Sequence, residues 1–101
     1  MLARMSCDAK TLSGVVAYLE TASILTRVFG GWAEEMQGLS AARPHRDIDL
    51  LYPSNDFEPI DTLVRQRGLE EITAKRSAHK RALVLRGVMT ELFLVRRNAL
   101  G

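Results

Sequence analysis

The sequence predicts a mixed β-sheet flanked by helices, a small α/β (α+β) fold. Two observations carry this. Short runs rich in β-branched and aliphatic residues, at 24–29, 47–52, 81–85 and 88–95, are bounded by glycine or turn-forming residues, as strands are. Elsewhere apolar residues recur at three- and four-residue spacing, as on one face of a helix. The 101 residues contain no repeat, low-complexity segment or long linker, so residues 1–101 are read as a single domain.

The first helix is expected over residues 8–20, with Leu12, Val15, Val16 and Leu19 on its apolar face and Asp8 as N-cap. Residues 24–29 form the first strand and end at Gly30-Gly31. A short helix over 32–39, with Gly38 near its end, leads to a loop over 40–46, where Pro44 biases Arg43 towards extended backbone. Residues 47–52 are the second strand, with Ile48 and Leu50 towards the core. Pro53-Ser54-Asn55-Asp56 is a turn.

The next helix carries Ile60, Leu63 and Val64 on one face and tolerates Pro59 only in its first turn. Gly68 suits the left-handed position after it, and Leu69 can fold back on the last turn. Residues 71–77 read as a polar third strand, and 81–85 and 88–95 as two strands joined tightly at Arg86-Gly87. Gly87 supplies a permissive backbone there, although Arg-Gly is not a favoured hairpin pair.

Composition narrows the function classes. The chain is 47% hydrophobic and 26% charged, which suits a globular protein and argues against disorder. Its one cysteine, Cys7, excludes an intrachain disulfide and a four-cysteine zinc site, and nothing around it marks a nucleophile. No apolar run approaches the ~20 residues that span a bilayer, and the N-terminus lacks the apolar core of a secretory signal. A cytoplasmic protein without a membrane partner is expected.

The net charge of +2 is uneven: residues 1–60 carry five basic and eight acidic residues, and residues 61–101 carry nine and four. The basic half either guides a polyphosphate ligand or is a solvated face. Nucleic acid is a weaker reading, because Phe93 is the only aromatic beyond Phe57 on which a base could stack.

The chemistry concentrates around Gly30-Gly31 and Asp47-Ile48-Asp49. Glycines at a strand end leave room for a phosphate, and a following helix offers free N–H groups and a favourable dipole. Residues i and i+2 of a strand share a face, so Asp47 and Asp49 point together, away from Ile48. Such a pair repels unless a cation compensates it, and oxygen donors suit Mg²⁺ better than zinc.

Glu91, a single carboxylate inside an apolar strand, is the candidate third acid. Its alternative is an exposed position or a pair with a neighbouring arginine. Arg43, His45 and Arg46 either contact phosphates and orient the carboxylates or form an ordinary polar loop. His45 is also weighed as a general base, and Trp32 reads as a packing anchor more readily than as a base-stacking platform. His79, among Lys75, Arg76, Lys80 and Arg81, reads as part of a solvated basic edge.

Gly30-Gly31-Trp32-Ala33 followed by Arg43-Pro44-His45-Arg46-Asp47-Ile48-Asp49 resembles the signature of the nucleotidyltransferase superfamily with the DNA polymerase β-type fold. Within it the run looks most like the lincosamide nucleotidyltransferases and the related aminoglycoside adenylyltransferases. The sharp match covers residues 29–50, and the element order extends it loosely to residue 95.

The resemblance implies a minimal nucleotidyltransferase fold and a two-metal Mg²⁺ site. It also implies transfer of a nucleoside monophosphate from a triphosphate, ATP first, to an acceptor hydroxyl, with release of pyrophosphate. By matching position Gly30 and Gly31 would hold the triphosphate and Asp47 and Asp49 the metals, with Arg46 kept as a candidate phosphate contact from its place before the aspartates. Glu91 would stand where the family usually places an Asp, provided it falls in register with the two aspartates.

Characterised members continue with helices that help form the acceptor site, whereas this sequence ends at Gly101. The resemblance leaves the acceptor open between a small molecule such as an antibiotic and a partner protein docking on an open site, and a homodimer could supply the missing wall. The alternative is a catalytically inactive module of the same fold, acting as a binding or regulatory partner in a toxin–antitoxin-like pair.

Overall fold

The computed structural model describes residues 9–29 and 47–96. Elements expected over 30–46, together with Cys7 and Asp8, lie outside the described residues. The described elements run α1 (Ala9–Thr21), β1 (Arg27–Phe29), β2 (Asp47–Pro53), α2 (Glu58–Arg67), β3 (Glu70–Glu71), a 3-10 turn (Thr73–Lys75), β4 (Lys80–Leu85) and β5 (Val88–Val95). The strands form one five-stranded sheet in the order β1-β2-β5-β4-β3. β2 and β5 run parallel and the other neighbours antiparallel, so the sheet is mixed, as expected.

Strand alternation divides the sheet into two faces. Ile48, Leu50 and Tyr52 of β2, Leu83 and Leu85 of β4 and Leu92 of β5 join Leu12, Val15 and Leu19 of α1 and Ile60 and Leu63 of α2 in one buried cluster. The opposite face carries Asp47 and Asp49, and there Phe29 meets Phe93 edge-on at 5.1 Å. The acids therefore sit on the sheet face away from the α1 and α2 core.

The first strand is shorter than its apolar run. Only Arg27–Phe29 pair with β2, while Ile24 turns back to donate its N–H to Leu19 O and buries its side chain in the core. The third strand is a correction. The ladder stops at Glu71, and residues 73–75 coil into a 3-10 turn closed by the Arg76 N–H on Thr73 O. The polar sequence at 71–77 buries no face that would hold it in the sheet, and Arg76 is drawn instead to Asp61 and Glu71 at 2.9 and 3.1 Å.

The hairpin is as expected. Arg86 and Gly87 have φ of 52° and 79°, the positive pair of a tight turn matched to strand twist.

Helix α2 ends as its sequence indicates. Gly68 is left-handed, with φ 59° and ψ 40°, and its N–H and that of Leu69 both reach Val64 O. A Cβ at Gly68 would meet nothing within 4 Å, so its cost is that of the backbone conformation alone. Gly68→Ala should therefore lower stability by about 1 kcal/mol, a shift of a few degrees in a thermal melt. An unchanged melting temperature would show that the cap carries no strain.

Candidate functional site

The site begins with pairing that local sequence does not dictate. β5 inserts between β2 and β4, and its parallel register sets Asp49 directly against Glu91 and Asp47 against Met89. Paired residues of neighbouring strands project to the same face, so Glu91 joins the two aspartates. One carboxylate oxygen from each of Asp47, Asp49 and Glu91 lies within 4.8 Å of the others. Asp47 and Asp49 are half-buried and Glu91 is buried, at 7% exposure. Three hard oxygen donors converging from two rigid strands fit a divalent cation such as Mg²⁺, and no nitrogen or sulfur ligand stands among them.

Electrostatics separates the acids. Burial raises the Asp49 carboxyl above the ordinary aspartate range, and the charges of Asp47 and Glu91 raise it further against Lys80 and Lys75. For Glu91 burial also works against ionisation. The hydrogen bond and charge of Lys80, with help from Lys75, outweigh it and hold that carboxyl below its usual value. Lys80 Nζ lies 2.6 Å from Glu91 Oε2 and Lys75 Nζ 3.4 Å from Oε1.

The structure brings Asp47, Asp49 and Glu91 together, as the sequence suggests. Gly30, Gly31, Trp32, Arg43, His45 and Arg46 lie outside the described residues. His79 is exposed, in keeping with a solvated edge.

Its basic neighbours are not solvated bystanders, which corrects the reading of that stretch. Lys75 and Lys80 pair with the third acid. Arg81 is 8% exposed and turns to the other sheet face. There its Nε and Nη2 donate to Asp61 at 2.9 and 3.2 Å, Nη1 donates to the Ser77 and Lys80 carbonyls, and the guanidinium lies 4.4 Å from the Phe57 ring centre. A signal for Arg81 is present in the sequence: it alternates with Leu83 and Leu85, on the core-facing side of β4. Nothing comparable marks Lys75, whose position depends on the 3-10 turn.

A similar fold occurs among known proteins. The profile of the aminoglycoside-2''-adenylyltransferase family matches residues 11–88, most of the chain. No curated protein matches in sequence. Among solved structures, the fold is similar to the crystal structure of the lincosamide antibiotic adenylyltransferase LnuA with lincomycin bound. The TM-score is 0.74 at 16% identity, and the match covers 96% of this chain and 61% of that one. This chain thus spans about three-fifths of that protein's length.

Proposed function

The chain belongs to the aminoglycoside-2''-adenylyltransferase family, and from that premise we propose that it is a Mg²⁺-dependent nucleotidyltransferase. Its donor is a nucleoside triphosphate, ATP first, and its acceptor is a hydroxyl. The single observation that carries this reading is the register of Asp49 against Glu91, which gathers three carboxylates within 4.8 Å. That convergence favours an enzyme over an inactive module of the same fold.

Asp47, Asp49 and Glu91 would hold the metal, whose chemistry when bound is to stabilise charge on the attacking and leaving oxygens. Asp47 and Asp49, fixed on one strand, orient the donor. Gly30, Gly31 and Arg46 hold its phosphates. Glu91 receives the acceptor hydroxyl and takes its proton. The acceptor oxygen forms a bond to the α-phosphorus, the bond to the bridging oxygen breaks, and pyrophosphate leaves with that electron pair. Positioning and charge neutralisation supply most of the rate.

The matching family and the lincosamide adenylyltransferase of similar fold support an antibiotic as the first acceptor class to test, with a partner protein second. The proposal includes a cytoplasmic location, and a homodimer is one assembly that could complete the acceptor site. No helix among the described residues is long and apolar enough to cross a membrane.

The test titrates labelled triphosphates with and without Mg²⁺, in wild type and in Asp47→Asn/Asp49→Asn. Wild type should bind in a metal-dependent way. The double variant should lose more than the about 10–100-fold that follows when only a ligand's supporting partner is removed. Absence of metal-dependent binding in wild type would end the enzyme reading. Label transferred to an aminoglycoside or lincosamide would identify the acceptor class, whereas label on protein would favour the partner-protein version.

A further inference from the structure

Both oxygens of Glu91 are engaged by ammonium groups, Oε2 by Lys80 and Oε1 by Lys75. These two lysines come from a segment braced independently of the acids. Arg76 ties the end of the 3-10 turn to Asp61 and Glu71, Arg81 ties the start of β4 to Asp61, and an isolated bridge joins Ser77 to Lys80. Neighbouring residues of one segment thus serve opposite sheet faces: Arg76 and Arg81 reach towards α2, while Lys75 and Lys80 reach the acids. The backbone is pinned, but the lysine side chains keep 40% and 28% exposure and four-carbon stems, so their heads can move.

We propose that Lys75 and Lys80 form a cationic latch on Glu91, which opposes divalent metal in the free protein and transfers to the phosphates of an arriving triphosphate. Metal and nucleotide then bind as a pair. The inference rests on the proposed nucleotide site and adds the coupling between its two ligands.

Competition between cations sets the direction of the effect. A divalent ion held by Asp47, Asp49 and Glu91 would sit within a few ångströms of two ammonium charges that already neutralise one of its three ligands. That repulsion weakens binding of metal alone. A triphosphate reverses the balance, because it brings several negative oxygens, for which an ammonium with three donors is a good partner. Once the lysines face phosphate, Glu91 is released to the metal. The latch therefore makes two effects of opposite sign, which a purely structural lysine would not.

The experiment measures binding of Mn²⁺ alone by electron paramagnetic resonance. It uses wild type, Lys75→Met, Lys80→Met, the double variant and Lys80→Arg. ATP affinity at saturating Mg²⁺ is measured on the same set. Each loss of a lysine charge should tighten Mn²⁺ alone by about tenfold and weaken ATP by several-fold, and Lys80→Arg should stay near wild type on both.

Unchanged or weaker Mn²⁺ binding in the Met variants, with ATP-supported metal binding intact, would overturn the latch alone. Failure of wild type to bind Mn²⁺ even with ATP would overturn the nucleotide site itself. Lys75 is exposed on a turn, so Lys75→Met keeps the test decisive even if Lys80→Met disturbs the sheet.

Discussion

Glu91→Gln is expected to cut nucleotidyl transfer by about 10²–10⁴-fold, the usual contribution of a positioned proton acceptor, while metal-dependent triphosphate binding falls only a few-fold. The substitution keeps the side chain's shape and its place opposite Asp49. It removes the negative charge proposed to receive the acceptor proton. Asp47 and Asp49 remain, and one or two carboxylates with substrate phosphates suffice for a Mg²⁺ complex.

The same variant has a readout that does not need an acceptor. The Glu91 charge is one cause of the raised Asp49 carboxyl, so Asp49 should titrate lower in Glu91→Gln, followed by its carboxyl resonance. Full transfer activity in Glu91→Gln would remove the proposed role. Loss of triphosphate binding to the same extent as transfer would make Glu91 a binding residue and not a proton acceptor.

Why Glu91 can be suspected from sequence, and Lys75 cannot, follows from the range of the interactions. A lone carboxylate at Glu91 between Val88 and Val95 breaks an apolar strand, and the i, i+2 spacing of Asp47 and Asp49 fixes their common face. The Gly68 cap and the Arg86-Gly87 hairpin are likewise local, because each depends on backbone conformation at one or two residues. The crucial step, β5 entering between β2 and β4 in parallel with β2, joins residues about forty apart and leaves no local trace.

The polar stretch at 71–77 misleads for the opposite reason. Its residues accept a strand conformation, but tertiary pull on Arg76 from Asp61 and Glu71 decides the outcome. Arg81 looks solvated when charge is read before period, although a buried arginine is well accommodated when a carboxylate, two carbonyls and an aromatic face surround it. The phosphate-binding expectation for Gly30, Gly31 and Arg46 stands on the sequence alone.

Asp61→Asn should be strongly destabilising for a change outside the apolar core, at about 2–4 kcal/mol by denaturant unfolding at neutral pH. Asp61 receives two bonds from Arg81 and two from Arg76. Removing its charge leaves the nearly buried Arg81 guanidinium without a counter-ion. The figure is set below that of a fully buried pair because the Asp61 side chain keeps 19% exposure. Asp61→Asn/Arg81→Met should recover part of the loss, since no uncompensated charge is then buried.

The pH dependence has a definite sign. The Arg81 hydrogen bond, with Arg76 beside it, holds the Asp61 carboxyl below the usual aspartate range despite its burial. Its stabilisation is thus complete above the unfolded value near about pH 4 and is lost as pH falls through the lowered folded value. Asp49 acts oppositely in the metal-free protein. Its carboxyl is raised by burial and by Asp47 and Glu91, so its ionisation costs stability and acidification relieves that cost.

Asp61→Asn should therefore flatten the acid side of the stability curve, and Asp49→Asn should steepen the loss on that side. An acid limb unchanged in Asp61→Asn would place the acid sensitivity elsewhere. Because Asp61 also braces the segment that carries Lys75 and Lys80, Asp61→Asn should weaken triphosphate binding without touching the acid cluster.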